Sequence, residues 1–178
     1  MNLDSNNLII PEVINLFNVY ADGNQQIGIT NEMSIAEFNA KTATIDGAGI
    51  AGSYDVPVIG NFDSIKQTIP FRSLITSTID FTNPQKVQNL TIRGSLQVTD
   101  KSTGVSDYAG MRLVLKGRAI GFNLGQVKQG EAMNASVTLE CMYVLYEIGG
   151  KTMFELDKWN GIYKVNGVDL MEKARQYC

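Results

Sequence analysis

Apolar and polar positions alternate with a period of two over most of the chain, the spacing expected of half-buried strands. Phe17 to Ala21 alternates in this way. Asp22-Gly23-Asn24 then supplies turn chemistry into Gln25 to Ile29, which predicts a hairpin. Ser34 to Ile45 is ambiguous, because Ala and Glu permit a helix while Thr42, Thr44 and Ile45 favour a strand. Gly47 to Gly60 is rich in glycine, contains Pro57, and reads as a long exposed loop or hairpin tip. Ile65, Gln67, Ile69 and Phe71 share one face of a strand that Pro70 confines to an edge or a bulge. Leu74 to Lys86 has room for a helical turn. Leu90, Ile92, Leu96 and Val98 mark another strand, closed by turn residues at Asp100 to Gly104.

The longest alternating stretch is Ala109 to Ile148. Met111, Leu113 and Leu115 interleave with Arg112, Val114 and Lys116. After a polar connection at Asn123 to Gly130, Ala135, Val137, Leu139, Cys141, Tyr143 and Leu145 continue one face. This predicts a large antiparallel hairpin with an apolar side on the core. The other side carries Arg112, Lys116, Arg118, Ser136, Thr138 and Glu140 and meets water or a partner. Gly149-Gly150 turns into a strand at Lys151 to Asp157, and Val165-Asn166-Gly167 makes another turn. Asp169 is placed to cap a last helix over Leu170 to Tyr177. The expected architecture is mainly β within the α+β range. It is an antiparallel β-sandwich or partly open barrel with a long hairpin and a short C-terminal helix.

Composition narrows the chemistry. The chain has 178 residues and a net charge of -3, so it can bury a core and lacks the basic surface of a nucleic-acid binder. It has no histidine and two cysteines. Ser-His-Asp and Cys-His catalysis and histidine-bound zinc are therefore excluded. Cys141 and Cys178 do not make a disulfide framework, and the strand pattern puts Cys141 inside. No closely spaced acids form a calcium loop, and no cofactor is expected. Gly47-Ala-Gly49-Ile-Ala-Gly52 matches the glycine spacing of a dinucleotide loop, but the following Ser53-Tyr54-Asp55-Val56-Pro57 cannot open the helix that would face a pyrophosphate. Glu140, Glu147, Glu155 and Asp157 are the remaining catalytic option as paired carboxylates; on a sheet such residues are ordinarily solvated or ion-paired. Met1 to Asn7 has no basic cluster of a secretory signal, and the longest apolar run, Cys141 to Tyr146, is too short for a membrane helix.

Three segments, in this order, carry a family resemblance: Met111-Arg-Leu-Val-Leu-Lys-Gly-Arg118, Gly125-Gln-Val-Lys-Gln-Gly-Glu131, and Ile162-Tyr-Lys-Val-Asn-Gly-Val-Asp-Leu170 before a short charged terminus. Gly47-Ala-Gly49 and Phe17-Asn-Val19 fit the family's glycine-rich hairpin and first strand. The chain resembles the major tail tube proteins of contractile-tailed bacteriophages and of phage-tail-like bacteriocins. The resemblance implies a non-enzymatic subunit of one domain, 1–178, forming hexameric rings that stack into a hollow tube. It divides the chain into an N-terminal arm (1–15), a loop and hairpin region (34–73), a tube-wall hairpin (109–148) and a C-terminal helix (169–177). It makes Gly47, Gly49, Gly52, Tyr54 and Pro57 candidates for contact between rings. Arg112, Lys116, Arg118, Ser136, Thr138 and Glu140 become candidates for lining the lumen. The implied partners are further copies of the chain, a contractile sheath protein, a baseplate or tube initiator, a tape measure protein, a tail terminator, and DNA passing without specific binding. No membrane anchor is implied. The implied location is a virion tail or tail-like particle made in the bacterial cytoplasm. Two other readings share the expected fold: a type VI secretion tube protein and a monomeric β-sandwich binding module of a baseplate.

Overall fold

The computed structural model describes residues 9–26, 28–76 and 78–178. Its strands are β1 (Ile9–Ala21), β2 (Asn24–Gln25), β3 (Ala40–Ile45), β4 (Tyr54–Phe62), β5 (Lys66–Phe71), β6 (Gln88–Asp100), β7 (Ser106–Asn123), β8 (Ala135–Ile148), β9 (Lys151–Asp157), β10 (Ile162–Val165) and β11 (Val168–Asp169). A 3-10 turn spans Ile79–Thr82, and a single α-helical turn, α1, spans Glu172–Arg175. One antiparallel sheet runs in the order β11-β10-β9-β8-β7-β6-β1-β2, with β5 also paired to β8, while β3 and β4 pair only with each other. The architecture is β-rich and antiparallel, as the alternation predicts, and its sheets are not closed into a barrel.

The core forms where the inward faces of β1, β5, β6, β7 and β8 meet. Ile69, Phe71, Leu90, Leu115, Val137, Leu139, Cys141 and Val144 are fully enclosed. Burial pushes the Cys141 thiol up to about 12, so it stays protonated. Gln67 sits among the apolar residues of β5 without cost, because all its polar atoms are engaged. Its Oε1 accepts from the Ala36 backbone N–H at 3.0 Å, and its Nε2 donates to the carbonyls of Ser34 and Thr68. Gln67 thereby staples the irregular stretch ahead of β3 over the core, where Met33, Ala36 and Phe38 pack. This resolves the ambiguity of 34–45: the first half is an irregular cover and the second half is β3.

Several expectations are corrected. The alternation of β8 breaks at a bulge: Lys116 faces Tyr143 but Gly117 faces Cys141, which leaves Met142 as an extra residue. One added residue exchanges the two faces of a strand. Val144 and Tyr146 therefore continue the inward face, whereas Tyr143 and Leu145 point outward with Lys116 and Val114. Among the described residues, β2 (Asn24–Gln25) is the only strand of the expected hairpin arm, Ile29 bridges Phe71, and the long partner of β1 is β6. Residues 9–15 of the expected arm are strand, running from Ile9 opposite Asp100; residues 1–8 lie outside the described part. Tyr54 and Pro57 belong to β4, not to a loop. The helix expected over 169–177 shrinks to Glu172–Arg175, an exposed turn with no buried side chain to extend it. Asp169 lies in β11. It accepts the Met171 N–H at 2.9 Å and pairs with Arg175, ordering the turn from before its first residue.

Candidate functional site

The outward face of β7 and β8 is a checkerboard of charge and hydroxyl groups. Strand alternation and the Met142 bulge bring Arg112, Lys116, Arg118, Ser136, Thr138 and Glu140 onto this one face. Arg112 Nη1 pairs with Glu147 at 3.0 Å, and Lys116 Nζ lies 4.8 Å from the centre of the Tyr143 ring. Thr138 meets Thr68 of β5 at 3.2 Å. Glu155 accepts from the Tyr143 hydroxyl at 3.1 Å and pairs with Lys164 at 2.9 Å. Burial, then the Glu155 charge, pushes the Tyr143 hydroxyl up to about 12. Val114 is buried at the centre of this face, with Arg112 and Lys116 on either side along the strand and Leu145 opposite. Long cationic side chains cover apolar neighbours in this way while keeping their charge in water. Arg112 is ion-paired, Lys116 lies over an aromatic ring and Thr138 bonds a neighbouring hydroxyl, the pattern of a solvated surface.

Glu140 behaves differently from its neighbours. It stands opposite Arg118 in register, yet its carboxylate turns to the other side. It accepts from the Ser64 hydroxyl and from the Ile65 backbone N–H at 3.1 Å, and it lies 3.8 Å from Lys158 Nζ.

The second surface is the β3–β4 hairpin. Its register places Ile45 opposite Tyr54 and Ala43 opposite Val56, so these residues and Val58 share an apolar face. Thr44 and Asp55, hydrogen-bonded at 2.6 Å, occupy the other face beside Thr42 and Pro57. Tyr54 is 55% exposed, and Val56 and Val58 are also exposed. Gly47, Gly49 and Gly52 lie in the connecting tip at positive φ, with nothing near enough to meet a side chain. Of this apolar face, Tyr54 alone is among the residues expected from the sequence, beside the tip glycines and Pro57. Period-two spacing in Ala43-Thr44-Ile45 and in Tyr54-Asp55-Val56-Pro57-Val58 is the signal that identifies it. An apolar face on a two-stranded ribbon with nothing packed on it marks an interaction surface.

A third feature is an open edge. Beyond β2, β1 has no neighbouring strand on its far side from Ile9 to Asn18 among the described residues, and Ile10, Val13, Ile14 and Leu16 are exposed along it. Among the described residues no three His, Cys, Asp or Glu side chains gather to hold a metal ion.

The profile of phage tail tube protein FII matches residues 11–177. The chain belongs to that family. Its role is accordingly structural and not catalytic. The chain is 28% identical to the tail tube protein of Escherichia phage P2 over 172 residues, 95% of this chain and 98% of that protein. It is 24% identical to the major tail tube protein of Serratia phage KSP20, covering 92% of each. Its fold is similar to the sheath/tube terminator of an extracellular contractile injection system, PVC, solved in the extended state. The TM-score is 0.54 at 15% identity, over 78% of this chain and 97% of the other. The terminator supports the fold, and the two phage relatives extend the family match along nearly the whole tube protein.

Proposed function

We propose that this protein is the subunit of the inner tube of a contractile phage tail or phage-tail-like particle, assembling as stacked hexameric rings around a lumen. The observation that carries the reading is the β3–β4 hairpin, whose apolar face is left bare in the single chain. A ribbon of this kind gains its missing cover from another copy, and the next ring is where a projecting hairpin finds one. The glycines of the tip and the Tyr54–Val56 face are the contact between rings. Within a ring, the open edge of β1 joins a neighbouring copy. Such a contact is heterologous and closes when its rotation divides a full turn. The face bearing Arg112, Lys116, Arg118, Ser136 and Thr138 lines the lumen. Its charged and hydroxyl groups hold water and leave no sticky apolar surface for transiting DNA. Sheath, baseplate initiator, tape measure and terminator proteins are the partners this role requires.

Negative-stain electron microscopy with sedimentation velocity tests the proposal on the purified full chain. Hollow tubes of uniform width, or rings, are expected, with seeding by preformed tube where spontaneous nucleation is slow. A chain that stays monomeric at every concentration, seeded or not, overturns it.

A further inference from the structure

The hairpin leaves the body of the protein through a set of contacts that no role has yet absorbed. Resting on the reading of the hairpin as the contact between rings, we propose that Glu140, Lys158 and Phe62 form a socket that fixes its direction. They would then be positioning residues for tube assembly.

β3 has six residues, and its register skips from Ala40 opposite Phe62 to Thr42 opposite Pro57, so the paired ribbon is a lever of about 20 Å. A swing of about 10° at its root moves the tip by about 3–4 Å at that length. Designed and natural interfaces require placement far finer than this. Among the described residues β3 and β4 pair with no other strand, so direction is set at the root.

The root is unusually well held. The Asp63 N–H donates to the Asn39 carbonyl at 2.9 Å, closing the two legs together. Immediately after, Ser64 and Ile65 donate to the Glu140 carboxylate, and Lys158 Nζ donates to the Asp63 carbonyl at 2.7 Å while facing Glu140. On the apolar side, the Phe62 ring lies 5.2 Å from Tyr163 and 6.3 Å from Phe154, both edge-on, and Phe154 also meets Phe38 at 5.3 Å. Gly60 has φ +76°, and a Cβ there would sit 2.7 Å from Met171 Sδ, so the absent side chain lets the C-terminal turn close against β4.

The bulge at Met142 builds this socket. β8 pairs with β5 up to Glu140 and with β9 from Tyr143 onward. At the handover, the Cys141 N–H donates to the Ile65 carbonyl at 2.8 Å and the Met142 carbonyl accepts the Lys158 N–H at 2.9 Å. The extra residue thus brings Glu140 and Lys158 to the same point from opposite sides. Bulges are placed where a strand must re-aim a side chain.

The distance test uses the full chain with Cys178→Ser, Ala48→Cys at the tip and Lys101→Cys in the turn after β6, spin-labelled. Cys141 is buried and stays unlabelled. Lys158→Met is expected to broaden the tip-to-turn distance distribution about twofold. In the chain without label sites it is also expected to raise the critical concentration for tube growth roughly tenfold, the consequence of losing one charged hydrogen bond at the root. The melting temperature moves by only a few degrees in such a partly exposed position. Lys158→Arg, which keeps charge and donors, restores both readouts. Glu140→Gln repeats the test from the other partner. An unchanged distribution in both variants overturns the socket, whatever assembly does. A broadened distribution with undiminished assembly overturns its role in tube growth. Removal of residues 47–52 is the control: unimpaired assembly there defeats the hairpin reading itself, and the distance distribution still decides the socket.

Discussion

The wall and the hairpin are both antiparallel ribbons, and they are stabilised in opposite ways. In the wall, β7 lies between β6 and β8, with one face on the core and the other carrying the Arg112–Glu147 ion pair. The hairpin has two strands, an apolar face in water, and fixed contacts only at its root. A strand buried against neighbours on both edges folds with the domain. A lone ribbon of this length is marginal in water, and its order must come from its root and from what it docks on. The wall carries the stability of the single chain, while the hairpin leaves an apolar face uncovered.

Mutations that separate the two regions sharpen this contrast. On the stability of the monomer, the largest effect is expected in the wall: Leu115→Ala removes a fully enclosed side chain and is expected to cost about 2–5 kcal/mol in denaturant unfolding. A loss well below that range would mean that the wall repacks freely. Next comes a paired glycine experiment. A Cβ at Gly117 would overlap the Glu140 carbonyl beside the bulge, so Gly117→Ala is expected to cost roughly 1–3 kcal/mol. Gly49→Ala, in open space, carries only the backbone strain of φ +92°, about 1–2 kcal/mol. A loss at Gly49 exceeding that at Gly117 would erase the distinction between wall and tip. Val56→Asp is expected to change monomer stability by no more than about 0.5 kcal/mol, as exposed positions do, and to abolish tube growth in electron microscopy. Normal tubes from that variant would remove the apolar face from the assembly contact.

The smallest effect is acidic and belongs to the end of β9, beside the wall. Burial opposes the charge of Asp157, but hydrogen bonds from the Asn160 side chain and the backbone N–H groups of Asn160 and Trp159 outweigh it and hold the carboxyl below its ordinary 3.8. Because the folded value is the lower one, this contribution is complete above 3.8 and is lost as the pH falls through the folded value. Solvent screening keeps it under about 1 kcal/mol. Urea midpoints at pH 5 and pH 3 are expected to differ slightly less in Asp157→Asn than in the parent chain, and an identical difference would assign the turn no role in acid stability.

How much of this was legible beforehand can be judged at particular residues. Ile65, Gln67, Ile69 and Phe71 fall on one face by spacing alone, and all four are buried; their polar member needed only partners that the backbone could supply. The charged face of β7 was equally readable, since Arg112, Lys116 and Arg118 alternate with apolar residues. The short final helix was legible in place but not in length: Glu, Lys, Ala and Arg are good helix formers, yet propensity without a buried face sustains a single turn only.

Local periodicity thus determined most of the strands and inward residues, because side-chain direction along an unbulged strand depends only on the parity of position, and composition excluded histidine chemistry. Tertiary structure decided what depends on which strand lies beside which. It placed the extra residue at Met142, where β8 passes from β5 to β9, and so turned Tyr143 and Leu145 outward. It drew the Glu140 carboxylate away from Arg118 toward Ser64 and Lys158. It also left the apolar side of β3 and β4 bare. None of these is written in any one segment, because a bulge, a borrowed carboxylate and an uncovered face are each properties of two chain stretches meeting, and their energies exist only once both are in place.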